Sequence, residues 1–236
     1  MPKIGAFAAV IAAAVLVAFP VAAGSLEIGP IRVQMIGPER TATLTIRNVD
    51  SAATNVQIRT VDWSQPNGID DYSPSAVLLA SPPLVTLGPG ESQVIRLVVE
   101  HMPDSPRERA FRLILDEIPP QQEASATGVQ TAIRALVPVF VTPSTASRPS
   151  LRWTAVRSGD GVVLTAINDG DTRERLIDLQ VTVNGQPVVD APLEGYVLSG
   201  GSRAWTLTSG AAQAASLAVS AEGEYGTVQA NVPVTP

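Results

Sequence analysis

From Leu26 onward the chain alternates apolar and polar residues in short runs, the two-residue period of antiparallel strands with one buried face. In residues 41–47, Ala42, Leu44 and Ile46 fall on one side and Thr43, Thr45 and Arg47 on the other. Val56 and Ile58 share a face in residues 55–61, and a short apolar run at 77–79 precedes Pro82-Pro83. The Gly88-Pro89-Gly90 turn leads into residues 93–100, where Ile95, Leu97 and Val99 alternate with Val94, Arg96 and Val98. Residues 110–117 put Phe111, Leu113 and Leu115 on one face, and Pro119-Pro120 ends that strand because proline has no amide to donate. Residues 121–128 are small and polar and read as a loop; residues 129–141 then form the longest strand. With a strand starting near Leu26 this makes about seven strands in roughly 120 residues, the size of one immunoglobulin-like sandwich.

A Pro, Ser and Thr stretch at residues 142–149 reads as a linker, and the strand pattern restarts beyond it. The second set covers residues 151–156, 162–168, 176–183, 186–188, 202–207, 214–221 and 227–232. Gly159-Asp160-Gly161, Asn168-Asp169-Gly170 and Asn184-Gly185 punctuate it as turns. The pattern predicts an all-β chain of two tandem immunoglobulin-like β-sandwich domains, residues 24–143 and 150–236, joined by a linker at 144–149. No convincing internal sequence repeat accompanies the two-fold arrangement.

Composition agrees with this. Twenty Pro and 18 Gly in 236 residues are too many breakers for a helical bundle. Ahead of the strands, Lys3 is followed by an almost wholly apolar run at residues 4–19 and by Val21-Ala22-Ala23, which has the small residues of a cleavage site. Residues 1–23 therefore read as a secretory signal cleaved after Ala23, the alternative being an uncleaved membrane anchor. That run is short for a spanning helix of about 20 residues.

The residue inventory removes several chemistries. There is no Cys, and His101 is the one His, so thiolate metal sites, papain-like catalysis and multi-His centres lack their ligands. Lys3 is the one Lys, and it lies in the leader. A formal charge of -6 with scattered Arg argues against nucleic acid as a partner. His101 precedes Met102-Pro103-Asp104 with no Gly-x-Ser-x-Gly elbow anywhere, and reads as a turn residue. Of the acidic clusters, Asp116 and Glu117 point to opposite faces of one strand. Asp70-Asp71 and Asp169 with Asp171 lie in turns, where Asp bonds to its own backbone. The expectation is a protein without catalytic activity, cofactor or metal.

Several strings resemble the periplasmic pilus chaperones of the chaperone-usher pathway, the PapD-like family. They are Ser81-Pro-Pro83, Leu87-Gly-Pro-Gly90, Val94-Ile-Arg-Leu97, Arg107-Glu-Arg-Ala-Phe111 and Asp116-Glu-Ile-Pro-Pro120. The resemblance covers roughly residues 26–143 and weakens in the second domain, where it rests on Asn168 with Gly170 and on Gly195-Tyr-Val-Leu198 through Arg203-Ala-Trp205. Pro138-Val-Phe-Val141 and the Gly195 segment look like the archaic branch, whose pilins resemble spore coat protein U.

The resemblance implies a periplasmic protein that lends a strand to pilin subunits and delivers them to an outer-membrane usher, with a self-capping dimer when free. Aligning Phe140-Val-Thr-Pro143 with the family's strand ending puts Val129, Thr131, Ile133, Ala135 and Val137 on the donor face; the alternative for the C-terminal part of that strand is the domain's own core. The family holds the subunit's terminal carboxylate with an Arg, which falls on Arg32, and a Lys, which falls on Pro138. Arg134 has the right facing but lies about 13 Å away along the strand. Glu117 matches the family's interdomain contact position, whereas its Arg partner is Thr142 here. The competing reading is an exported two-domain adhesive or scaffolding module. Against it, Trp63, Trp153 and Trp205 are spread over both domains and promise no aromatic platform for a sugar.

Overall fold

The computed structural model describes residues 26–100, 105–118, 132–143, 146–188, 193–208, 210–211 and 213–236. Residues 1–25, His101, Val129 and Thr131 lie outside the described residues.

The first domain holds β1 (Leu26–Gly29), β2 (Val33–Ile36), β3 (Thr41–Asn48), β4 (Thr54–Ser64), β5 (Asp71–Pro74), β6 (Leu78–Ser81), β7 (Leu84–Leu87), β8 (Ser92–Val99), β9 (Arg109–Ile118) and β10 (Arg134–Thr142). One sheet runs β1-β3-β8-β6; the other runs β2-β10-β9-β4-β5, with β7 also on β4. The alternating residues do what their period requires. Leu44, Ile46, Ile95 and Leu97 from the first sheet meet Val56, Ile58, Phe111, Leu113 and Leu115 from the second in one buried core. Three short strands, β2, β5 and β7, exceed the seven read from the sequence. Four residues show too few alternations to stand out, and β2 exists because the chain passes from one sheet to the other between Gly29 and Val33.

The second domain holds β11 (Leu151–Ser158), β12 (Gly161–Asn168), β13 (Glu174–Val183), β14 (Gln186–Pro187), β15 (Leu193–Val197), β16 (Ser202–Leu207), β17 (Ser216–Gly223) and β18 (Gly226–Thr235). Seven of them form a continuous path, β14-β13-β17-β18-β11-β12-β16, with β15 also on β13, over a core that includes Leu164, Ala166, Leu179, Val181, Leu217 and Val219. The parallel pairing of β11 with β18, Ala155 opposite Val234, joins what would otherwise be two facing sheets. Asn184 and Gly185 both take positive φ, 51° and 81°, the geometry for which an Asn-Gly hairpin is suited.

A buried asparagine closes the end of a strand in each domain. Asn48 Nδ2 donates to the carbonyls of Ala52 at 2.7 Å and Leu87 at 3.0 Å, and its Oδ1 accepts from Asp50 N. Asn168 Nδ2 donates to Thr172 at 2.8 Å and Val197 at 3.0 Å, and its Oδ1 accepts from Gly170 N. Their main chains match too: Asn48 N donates to Glu91 O and Gly90 N to Asn48 O, while Asn168 N donates to Gly201 O and Gly200 N to Asn168 O.

The segment read as a linker is tied down where it is described. Asp169 N and Asp171 N donate to the carbonyls of Ser150 and Arg148, at 2.9 and 3.0 Å.

Candidate functional site

Two features meet on β10 and the strands beside it. The first is an exposed edge. β10 pairs with β9 along its length, from Arg134 opposite Asp116 to Val141 opposite Arg109. On its other side β2 covers residues 139–142 alone. Residues 134–138 therefore offer one side of their backbone to no strand among the described residues. An edge of this kind is a template for adding a strand.

Along β10 the odd positions face inward. Val137, Val139 and Val141 are buried in the first domain's core and Ala135 packs against it. Ile133 lies just before the strand, half-buried, and bonds twice to Glu117: Glu117 N donates to Ile133 O at 2.9 Å, and Ile133 N donates to the side-chain Oε2 of Glu117 at 3.2 Å. The inward row thus runs from the domain's core to Ile133. On the opposite face Leu136 is 39% exposed.

The second feature is a band of arginines on that outward face. Arg112 stands opposite Pro138 across the β9–β10 pairing, its guanidinium 3.7 Å from the Trp63 ring centre, and Arg112 Nη1 donates to Leu136 O. Arg32 immediately precedes Val33, which lies beside Val139. Arg112 is the residue that sequence reasoning missed; the signal was available only through strand register, which puts it across from the proline at the expected lysine position. Arg134 is paired with Asp116, which also takes Arg59 at 2.5 Å. Burial pushes the Asp116 carboxyl up, but the hydrogen bonds and charges of Arg59 and Arg134 outweigh it and hold the group below its ordinary value.

Arg32 does not stand free. Its Nη1 meets Glu224 Oε2 of the second domain at 2.9 Å, with 37% of the Arg32 side chain exposed. Glu224 Oε1 takes Arg173 Nη2 at 3.0 Å, and Arg173 Nη1 meets Glu108 Oε2 at 2.6 Å. Arg173 and Glu108 are both enclosed, at 0% and 1% side-chain exposure. Glu108 also accepts from Thr142 Oγ1 at 2.6 Å, Thr172 Oγ1 at 2.8 Å and Arg173 N at 3.1 Å, so its lone pairs are well used. Arg173 further lies 3.8 Å from the centre of the Phe140 ring.

This corrects one expectation. Glu117 bonds inside the first domain, to Thr54 Oγ1 and Ile133 N, because its strand position points toward β4 and the start of β10. Glu108, at the entry to β9, is a carboxylate that bridges the domains, and Thr142, at the family's Arg position, joins it as a hydroxyl.

The rest of the junction is apolar packing and carboxylate hydrogen bonds. Trp63, Phe140 and Leu198 form a small apolar cluster with Ala110 and Tyr196. Asp70 accepts from Trp63 Nε1 at 3.0 Å, Gln65 Nε2 at 2.8 Å and Arg203 Nη1 at 2.7 Å. Burial raises the Asp70 carboxyl, but Gln65, Trp63 and Arg203 together hold it below its usual range. Asp70 is thereby an interdomain tie. Glu174, under the β17–β18 turn, is pushed up by burial against the pull of backbone amides, with the Glu224 charge adding to the rise. Trp153 and Trp205, distant in sequence, stack with centres 6.1 Å apart against the second core.

Comparison with known proteins places this arrangement. The model of the family described as pili and flagellar-assembly chaperone, PapD N-terminal domain, matches residues 25–147. No curated protein matches. A chain of the CsuC–CsuE chaperone–tip adhesion subunit complex from archaic Csu pili of Acinetobacter baumannii superposes with a TM-score of 0.69 at 22% identity, covering 90% of this chain and 99% of that one. The E. coli chaperone DraB gives 0.60 at 23% identity, covering 88% and 96%. A chain of the Salmonella enterica SafA pilin–SafB chaperone complex gives 0.60 at 21% identity, covering 87% and 93%. These likenesses show the shared two-domain β-sandwich fold, and with the family model spanning more than half of the sequence, the chain belongs to the PapD-like pilus assembly chaperones.

Proposed function

We propose that the protein is a periplasmic chaperone that captures pilin subunits by donating the strand running from Val129 into β10, and hands them to an outer-membrane usher. The observation that carries this reading is the uncovered edge of β10 at residues 134–138, continuous with an inward apolar row. A subunit lacking its last strand would pair its backbone with that edge and accept Val129, Thr131 and Ile133 in the extension of the same row. Ala135 and Val137 stay with the chaperone's own core, so the row passes from one core into the other. Each inserted side chain of Val or Ile size contributes roughly 1.5 to 3 kcal/mol. Subunits of the spore coat protein U type are the proposed cargo. Free protein would protect the same edge by pairing with a second copy.

On this reading Arg32 receives the subunit's terminal carboxylate, with Arg112 supplying the second cation across Pro138 and Arg134 standing further out on Asp116. No nucleotide enters the scheme, since exchange for the next subunit's strand drives release.

The test is co-expression of the mature chain with candidate pilins, comparing wild type with Ile133→Asp. An unpaired charge in an apolar pocket is costly. The wild type is expected to yield a soluble one-to-one complex and the variant none, with unchanged circular dichroism. Equal capture by both would sink the donor assignment.

A further inference from the structure

Glu224 occupies an unusual place between two guanidinium groups that differ in access. It sits with Tyr225 in the two-residue turn that joins β17 to β18, where Gly223 pairs with Gly226. The turn is pinned: Glu224 N donates to Glu174 Oε1 at 2.7 Å and to Arg175 O at 3.2 Å. The carboxylate is thus delivered across the domain junction onto Arg32 by a fixed turn rather than by a wandering side chain.

The two partners of that carboxylate are not equivalent. Arg173 is enclosed and keeps Glu108 whatever Glu224 does. Arg32 is 37% exposed, with Glu224 as its one ion-pair partner among the described residues. Removing Oε2 from Arg32 leaves Oε1 on Arg173, so no buried charge is stranded. An external carboxylate arriving at Arg32 would therefore compete with a carboxylate that has a second guanidinium to hold it.

We infer that Glu224 is a built-in competitor for a carboxylate-binding site on Arg32: it fills the site in the free protein and yields it to the terminal carboxylate of a bound polypeptide. This rests on the proposed role of Arg32 and adds the residue that sets the strength and selectivity of that grip. Ile31, 80% exposed beside it, gives the entering chain an apolar surface next to the cation.

The test uses the whole mature chain and contains no pilin. Binding of N-acetylglycine, a mimic of a chain terminus, is followed on the Arg32 Nε–H resonance, assigned through Arg32→Lys. N-acetylglycinamide serves as the uncharged control. Glu224→Gln is expected to tighten N-acetylglycine binding about fivefold, the scale of a competing exposed ion pair, and to leave the amide unbound. Glu222→Gln, an exposed neighbour carrying the same charge change, should behave as wild type. Equal affinity in wild type and Glu224→Gln, a gain shared by the amide, or an equal gain from Glu222→Gln would each overturn the inference. Failure here would leave strand donation standing, and failure of pilin capture would leave this result standing.

Discussion

Arg173 is a large, charged side chain with no solvent exposure, and its position is legible only in three dimensions. In the sequence it is one of many scattered arginines. In the fold it ends a turn in the second domain, and Glu108 of the first domain receives both its side chain and its main-chain amide. Arg173→Met would leave the Glu108 carboxylate buried with hydroxyl and amide donors but without its countercharge. Losing one partner of a buried pair costs about 3 to 5 kcal/mol. The expected result is a lowered denaturation midpoint in urea, partly recovered by adding Glu108→Gln. A double variant no better than the single one would show that the charge pairing is not what holds these residues.

Strands as elements follow from the sequence where they are long and half-buried. β3, β8, β9 and β12 lie within one or two residues of their predicted ranges because each alternates over a buried face, and β16 matches its range although Leu207 is its one buried residue. β2, β5, β7 and β15 escape notice; β5 is exposed throughout, and its pairing with β4 shows no alternating buried face in the sequence. Contacts between elements of different domains left no sequence signal. Gly68 is the clearest instance: its φ is 81°, and a Cβ built there would come 2.7 Å from Ala204 Cβ and 2.9 Å from Ala204 N. Gly68→Ala therefore combines a left-handed backbone cost of about 1 to 2 kcal/mol with a wedge between the turn after β4 and β16. Thermal melting is expected to fall, and Ala204→Gly in the same chain to restore only part of it, since the Ala204 amide and the backbone strain remain. Full restoration would mean that the two methyl groups alone are in conflict.

Across the whole molecule, the junction is built to hold one angle between the domains. The Arg32–Glu224–Arg173–Glu108 chain of charges lies on one side, and Asp70, Gln65 and Arg203 on another, with the Trp63–Phe140–Leu198 cluster among them. Asp70 predicts how this responds to acid. Its folded-state value lies below that of the unfolded chain, so its contribution is fully present above the unfolded value of about 3.9 and is lost as pH falls through the lower folded value. The gap in melting temperature between wild type and Asp70→Asn should stay constant from neutral pH down to about pH 5 and close only in stronger acid. A gap that closes near neutrality would mean that the carboxylate is not held by these donors. Of the proposed site, strings and spacing could name the strand that contains β10, and Arg32, as candidates. They could not name Arg112, Glu108 and Glu224, because each matters through a neighbour on another strand or in the other domain.

The matching asparagines bear on how alike the two domains are built. Asn48 and Asn168 each gather a carbonyl four residues on and a carbonyl at the end of a later strand, and each is bracketed by the same pair of main-chain bonds. No string of residues repeats between the halves, yet the bonding does. Side-chain identities drift under selection for packing volume alone, whereas a fully bonded buried amide leaves few acceptable replacements. Such a pair is one solution used twice: in each domain a single amide side chain closes a strand end that the backbone alone would leave open.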